Sequence, residues 1–289
     1  MSSPSLRVGF LGPRGTFSEQ ALLESAGEQP VALVPLESIH ATVLAVQEGG
    51  VPRAVVPIEN STEGPVTVTL DALVAEAPDV VIVGEVVVPV SYCLVARRDR
   101  PLEEFARVLA HPQAAAQCAA FLRRALPRAV VNPGSSNAQA VQAVAQGDDD
   151  DVVALGPRVA ADLYGGVILR EGVQDEADNV TRFVWLARRD GLGDTRSPSH
   201  EGTTHKTALV FWGPGDTGPG WLVSCLDEFA RRGLNLTRIE SRPRRRGLGH
   251  YLFFADIEGA ADDPPLAAAI AGVRSHCEEV RLLGSYPVG

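Results

Sequence analysis

Lysine is nearly absent: Lys206 is the only one in 289 residues. Schiff-base catalysis, with or without pyridoxal phosphate, would have to use that single side chain at the mouth of a strand, and it is set aside. The six histidines (His40, His111, His200, His205, His250, His276) form no HxH or HExxH spacing, so no metal site is indicated. The four cysteines (Cys93, Cys118, Cys225, Cys277) lie far apart without a CxxC. They read as free thiols of a reducing compartment, and a cytoplasmic location is expected. No apolar run approaches a membrane span. The N-terminus enters the strand-like "LRVGFLG" with no basic region and apolar core before it, so no signal peptide is expected. Positive charge is also short, with a net charge of −10. That argues against nonspecific nucleic-acid binding and against anionic membrane surfaces. An anionic ligand would have to be held by local arginines and helix N-termini.

What is present is ordinary globular material, 45% hydrophobic and 21% charged, in a chain long enough for two domains. The first part alternates strand and helix: "LRVGFLG", "TFSEQALLESAG", "VALVPL", "SIHATVLAVQEGG", "RAVVPIE", "TVTLDALVAEA". After "RVLA" come "HPQAAAQCAAFLRRAL", "RAVVN", "NAQAVQAVAQG", "VVAL" and "GPRVAADLYG". Such alternation implies parallel sheets with helices on both faces. Two strands, "YCLVARRD" and "FVWLARRD", share an ending and bracket the block from about 100 to 180. That suggests two lobes with these strands as crossovers, and it places Thr181 beside an interlobe cleft. "GLGDTRSPSHEGTT" reads as a linker. Beyond it the order is β-α-β-β-α-β, a ferredoxin-like arrangement whose sheet edges commonly pair with another copy.

Three strand-to-helix loops carry hydroxyls and exposed amides: "GPRGTFSE", "PIENSTEGPVT" and "NPGSSNAQ". Thr16 with Glu19, and Ser136 with Gln139, have capping-box spacing. Each loop can be read as mere helix capping, or, taken together at one end of a sheet, as a ligand site. None is a Walker loop. His111 before Pro112 reads as structural, and "RPRRR" (Arg242 to Arg246) as a solvated turn. In "NVTRFVWLARR", Thr181, Arg182 and Phe183 open a strand, and by themselves they read as an ordinary strand edge.

Taken in order, "FLGPRGTFSEQAL", "VVPIENSTEGPV", "AHPQA", "SSNAQAV", "ALGPRVAADLYG" and "NVTRFVWLARR" resemble the successive motifs of bacterial prephenate dehydratase. "GLNLTRIESRP" is similar to the phenylalanine-sensing ACT domain that follows it. The resemblance covers nearly the whole chain and leaves only the linker unmatched. It implies an α/β fold: a two-lobed, periplasmic-binding-protein-like catalytic domain at 1–190, its second lobe near 98–178. A linker at 191–204 and a ferredoxin-like ACT domain at 205–289 would follow. It implies a lyase that converts prephenate to phenylpyruvate without metal or organic cofactor. Arogenate dehydratase, or a non-enzymatic amino-acid-sensing or amino-acid-binding protein, are the alternatives.

The resemblance makes Thr181 the residue most tied to catalysis, as hydrogen-bond donor to the leaving oxygen. Arg182 would fix a carboxylate or else point away from the cleft. Phe183 would add an apolar wall, and Glu59 would orient donors or accept from the hydroxyl. Asn60, Ser61, Thr62, Gln113, Ser135 and Ser136 would line the cleft. Phenylalanine would bind as effector between ACT domains of a homodimer, or of a homotetramer. The residues implied are Gly220, Trp221, Leu222, Val223, Asn235, Leu236, Glu240, Ser241, Arg242 and Pro243. Family members usually carry Ala where this chain has Trp221. The indole either enters the pocket or turns outward as an interface anchor, and the outward reading is adopted.

Overall fold

The computed structural model describes residues 5–192, 204–213, 219–244 and 247–288. The expected linker falls largely on 193–203, and Arg245 and Arg246 of the basic turn also lie outside the described residues. The chain opens with β1 (Leu6–Leu11), α1 (Phe17–Ala26), β2 (Val31–Leu36), α2 (Ile39–Gln47), β3 (Arg53–Asn60), β4 (Gly64–Pro65), α3 (Thr67–Ala75) and β5 (Val80–Pro89). It continues with β6 (Cys93–Ala96), β7 (Arg107–Ala110), α4 (Pro112–Gln117), α5 (Ala119–Ala125), β8 (Val130–Pro133), α6 (Asn137–Gln146), β9 (Val152–Gly156), α7 (Arg158–Tyr164) and β10 (Val167–Arg170). Then follow β11 (Val180–Arg188), β12 (His205–Trp212), α8 (Trp221–Ala230), β13 (Leu236–Pro243), β14 (Tyr251–Glu258), α9 (Pro264–His276) and β15 (Glu279–Pro287).

These strands make three α/β layers. The first sheet runs β2-β1-β3-β11-β5 with β4 on β3, the second β10-β6-β9-β7-β8, the third β13-β14-β12-β15. β1, β2 and β3 are parallel, as the alternation predicts, but β11 runs antiparallel between β3 and β5. The sheet is therefore mixed. The two similar strands are not equivalent either: "CLVA" is β6 in the second sheet, whereas "FVWLAR" belongs to β11 in the first. The outgoing crossover is β5, a ten-residue apolar strand broken only by Gly84 and Glu85. β5 and β11 lie side by side, and Val90 N–H donates to Asn179 O at 2.8 Å where the chain passes between lobes.

Alternation along β11 gives its two faces different neighbours. Phe183 and Trp185 pack with Val8, Phe10 and Leu22 under α1. Val184 and Leu186 pack with Leu70 and Leu73 of α3 and with Val210, Phe254 and Tyr286 of the third sheet. The third sheet thus lays one face on the first sheet and covers its other face with α8 and α9. Contact is close: a Cβ at Gly284 of β15 would fall 2.2 Å from the carbonyl oxygen of Ile82 on β5, so glycine permits this approach.

Candidate active site

β11 pairs with β3 in the register Thr181↔Asn60 and Arg182↔Glu59, and then Phe183↔Pro57. Ile58 is thus an extra residue, a β-bulge next to the candidate site. On one face, Asn60 Nδ2 donates to Thr181 Oγ1 at 2.9 Å and to Asn179 Oδ1 at 2.8 Å. The amide orientation follows from its other end. Asn60 Oδ1 accepts from the backbone N–H of Thr62 and of Glu63, both at 3.0 Å, and from Thr62 Oγ1 at 2.7 Å. Backbone N–H groups only donate, so Nδ2 must face Thr181. The Thr181 hydroxyl thus accepts from Asn60, and among the described residues its own proton has no hydrogen-bond acceptor.

The turn from Ser61 to Glu63 is pinned to the residues before β11. Ser61 Oγ donates to Asp178 O at 3.2 Å and accepts from Val180 N–H at 3.0 Å. The second lobe joins through Gln117 of α4, which accepts from Asn179 Nδ2 and donates to Glu63 Oε1, both at 3.1 Å. Asn179 and Gln117 escaped the sequence reading. Asn179 is fully buried one step before the strand, and a polar residue beginning an apolar strand was the available signal.

Gln113 lies in the first turn of α4, after the N-cap His111, whose Nδ1 accepts from Gln113 N–H at 3.4 Å. Ser136 caps α6 by accepting from Gln139 N–H at 3.1 Å, and Ser135 Oγ donates to the Gln139 side chain. Among the described residues no hydrogen bond joins Gln113, Ser135 or Ser136 to Thr181. They stand on other strand-to-helix loops, with Gln113 and Ser135 exposed. The first loop is a variant capping box. Thr16 accepts from Glu19 N–H, but Glu19 reaches back to Gly15 N–H at 2.6 Å and also takes Arg14 Nε at 2.5 Å.

Arg182 departs from the carboxylate clamp. Its guanidinium lies on the opposite face from Thr181, buried against the third sheet. Nη1 meets Glu85 Oε2 at 3.0 Å, Nη2 meets Asp256 Oδ2 at 2.6 Å, and Nε and Nη2 meet Glu59 Oε2 at 3.2 and 3.0 Å. The cause is strand alternation: consecutive residues cannot both face the cleft. Burial disfavours the guanidinium charge, but Asp256 and the other acidic neighbours more than offset this and raise its pKa. Glu59 is turned to the same side, so neither residue meets the Thr181 hydroxyl. Phe183 shares the Thr181 face but is only 2% exposed, in the core beneath α1. It packs beside Thr181 on that same face, in the core, and does not wall the cleft.

At the start of α8, Trp221 does not turn outward. Its ring packs on Phe253 and Phe211, centroids 5.7 and 6.2 Å away, and Nε1 donates to His276 O at 2.6 Å. A local aromatic shelf and a free carbonyl at the end of α9 satisfy both parts of the indole. Gly220 precedes it in the left-handed conformation and Leu222 is half-buried, while Val223 is 69% exposed. Along the edge strand β13 exposure alternates: Leu236, Glu240 and Arg242 are half-buried, whereas Ser241, Pro243 and the preceding Asn235 are exposed. Arg242 reaches α3, donating to Asp71 at 3.2 and 2.9 Å. Beside that contact a cavity of about 510 Å³ opens between α3 and the third sheet, lined by Val68, Trp212, Pro243, Arg244 and Leu252.

The molecule thus combines a two-lobed α/β fold, a bulged β3–β11 ladder with a threonine hydroxyl at the lobe junction and an attached βαββαβ sheet. The family model for prephenate dehydratase matches residues 8–191. The prephenate dehydratases of Mycobacterium bovis and Mycobacterium tuberculosis are each 39% identical over 98% of this chain and 88% of theirs. Among solved structures, the prephenate dehydratase of Arthrobacter aurescens in complex with L-Phe has a TM-score of 0.85 at 38% identity, covering 97% of this chain and 90% of that one. A protein described as GqqA, a quorum-quenching acylase, matches at TM-score 0.85 and 30% identity over 98% of both chains. The chain belongs to the prephenate dehydratase family.

Proposed function

We propose that this chain converts prephenate to phenylpyruvate, with the Thr181 hydroxyl as hydrogen-bond donor to the departing oxygen. The observation that carries this reading is the Asn60–Thr181 contact at 2.9 Å, in which the threonine accepts and its proton has no acceptor among the described residues. In the reaction the ring carboxylate breaks from its carbon as carbon dioxide. Its bonding electrons pass through the ring to the opposite carbon, the C–O bond there breaks, and the ring becomes aromatic. The oxygen departs with its electron pair and takes up one proton to leave as water. A donor strengthens its bond to that oxygen as negative charge develops, so it acts mainly in the transition state. Threonine is a weak acid, so the proton itself comes ultimately from solvent, relayed past the hydroxyl.

Arg182 is engaged below the sheet, so the substrate carboxylates are received by uncharged donors. Ser135, Ser136 and Gln113 at helix starts, with Ser61 and Thr62, are the groups we assign to them; the Ser61, Thr62 and Ser135 hydroxyls, which donate to Asp178 O, Asn60 Oδ1 and the Gln139 side chain, would exchange those acceptors for the substrate's. Phenylalanine acts as effector at the third sheet, near Trp221 to Val223 and Glu240 to Pro243. It shifts a quaternary equilibrium in a homodimer, or homotetramer, built on the exposed β13 edge. A cytoplasmic location fits the free thiols, and no helix among the described residues is long and apolar enough to cross a membrane.

The test is turnover of prephenate, with arogenate in parallel, by wild type, Thr181→Ala and Thr181→Ser. The alanine variant should lose on the order of 10²-fold in kcat with a smaller change in KM, and the serine variant should keep much of the rate. Wild-type turnover in Thr181→Ala would sink the assignment. Titration calorimetry with phenylalanine checks the regulatory part, and absence of binding to wild type would remove it.

A further inference from the structure

Beneath Thr181 and Asn60 lies a cluster of six charged groups shared between two sheets. The first sheet supplies Arg182, Glu59 and Glu85. The third supplies Asp256, Lys206 and Arg238. Lys206 Nζ meets Glu85 Oε1 at 2.6 Å, and Tyr286 hydroxyl leans on the same carboxylate at 3.5 Å. Arg238 approaches both Glu59 Oε2 and Asp256 Oδ2 at 3.8 Å. The first sheet alone would hold one cation against two anions. Only with the third sheet do three cations face three anions. The side chains of Glu85 and Asp256 are each 3% exposed, and charges so buried are tolerated only when paired.

Geometry ties this cluster to the site above it. Thr181 and Arg182 are consecutive on β11, Asn60 and Glu59 are consecutive on β3, and the two pairs are in register. The adjacent bulge interrupts the ladder, so backbone pairing alone constrains this end of the strands less than an unbroken sheet would. Side chains below therefore determine how the residues above are held. We propose that Asp256 of the third sheet is a positioning residue for Thr181, acting through Arg182. The inference rests on the prephenate dehydratase reading of the Thr181 site and adds a domain to it.

The same contacts supply a way to alter that position. Arg182 and Arg238 compete for the same oxygen of Asp256, at 2.6 and 3.8 Å. Arg238 Nη2 is buried without a hydrogen-bond partner among the described residues, so a closer approach to Asp256 is open to it. Arg238 stands on β13, two residues before Glu240. A shift of β13 toward Asp256 would draw that carboxylate from Arg182 and loosen the ladder under Thr181.

The experiment uses the full chain with Asp256→Asn, which keeps size and removes charge. Because a misplaced donor lowers turnover more than ground-state binding, kcat should fall about tenfold with KM within about twofold. In a Thr181→Ala background the same substitution should have no further effect, since its target is gone. An unchanged kcat, or an equal loss in both backgrounds, overturns the proposal. Lys206→Gln, at a less buried partner, serves if Asp256→Asn fails to fold, and should give the same pattern at about threefold. If wild type does not turn over prephenate, the reading of the site has failed. Amide hydrogen exchange at 179–183 then decides the mechanical link. Faster exchange in the variant supports it, and unchanged exchange refutes it.

Discussion

Two faces of one short ladder behave as opposites. On the upper face Thr181 and Asn60 form a neutral, half-buried hydrogen-bond network in which the threonine proton has no acceptor among the described residues. On the lower face Arg182 and Glu59 join an ionic cluster in which every charge faces a partner. The residues are sequence neighbours, and the strand period of two is what separates them. A contiguous three-residue motif on a strand therefore cannot be a contiguous site. In the proposed reading one face meets substrate while the other sets where that face stands.

The largest expected effect tests the lower face. Arg182→Met removes the cation that meets three carboxylates, two of them almost fully buried. Stripping one partner from a buried ion cluster leaves charge uncompensated, so unfolding free energy should fall by about 3–5 kcal/mol. Chemical denaturation measures it. A variant as stable as wild type would mean that the cluster is hydrated, and the contrast between the faces would fail.

A smaller effect tests the upper face. Asn60→Asp keeps the shape and keeps the acceptor for Thr62 and Glu63, but replaces the Nδ2 donor with a second acceptor. Thr181 should then give its proton to that carboxylate and not to the substrate. The kcat should fall by about tenfold, close to the worth of one hydrogen bond to a charged group, and because the new oxygen also faces Asn179 Oδ1 and Val180 O, unfolding free energy should fall by about 1–3 kcal/mol. Full activity would show that Asn60 does not orient the hydroxyl.

Much of this architecture was legible in the residues because local patterns and tertiary contacts agree. The helices at Phe17, Asn137 and Pro264 begin close to where their caps and prolines indicate. The β-α-β-β-α-β order after residue 204 follows from its apolar periods. What escaped depended on pairing across long separations. The antiparallel place of β11 joins residues about 120 apart, and nothing local marks it. Glu85 was visible as the lone acid of an apolar strand and Asp256 as an acid after the apolar run of another, but their shared partner Arg182 lies on a third strand. The orientation of Trp221 depended on a carbonyl at the end of another helix.

The smallest effect falls on Glu59, the residue that stands between the two faces. It is sequence neighbour to Asn60, yet its carboxylate accepts from Arg182. Its side chain is 39% exposed, against 3% for Glu85 and Asp256. Water can therefore replace much of what it contributes, and Arg182 keeps two buried partners without it. Glu59→Gln should cost no more than about 1 kcal/mol, as for a partly solvated ion pair. Its amide oxygen can still accept from the guanidinium, so the ladder keeps its register and kcat should change by less than about threefold. Denaturation and steady-state turnover of the same preparation check both numbers. A loss near that of Thr181→Ala, with stability intact, would place the Glu59 carboxylate in the proton path of the cleft, and the division of the ladder into a chemical face and a supporting face would have to be redrawn.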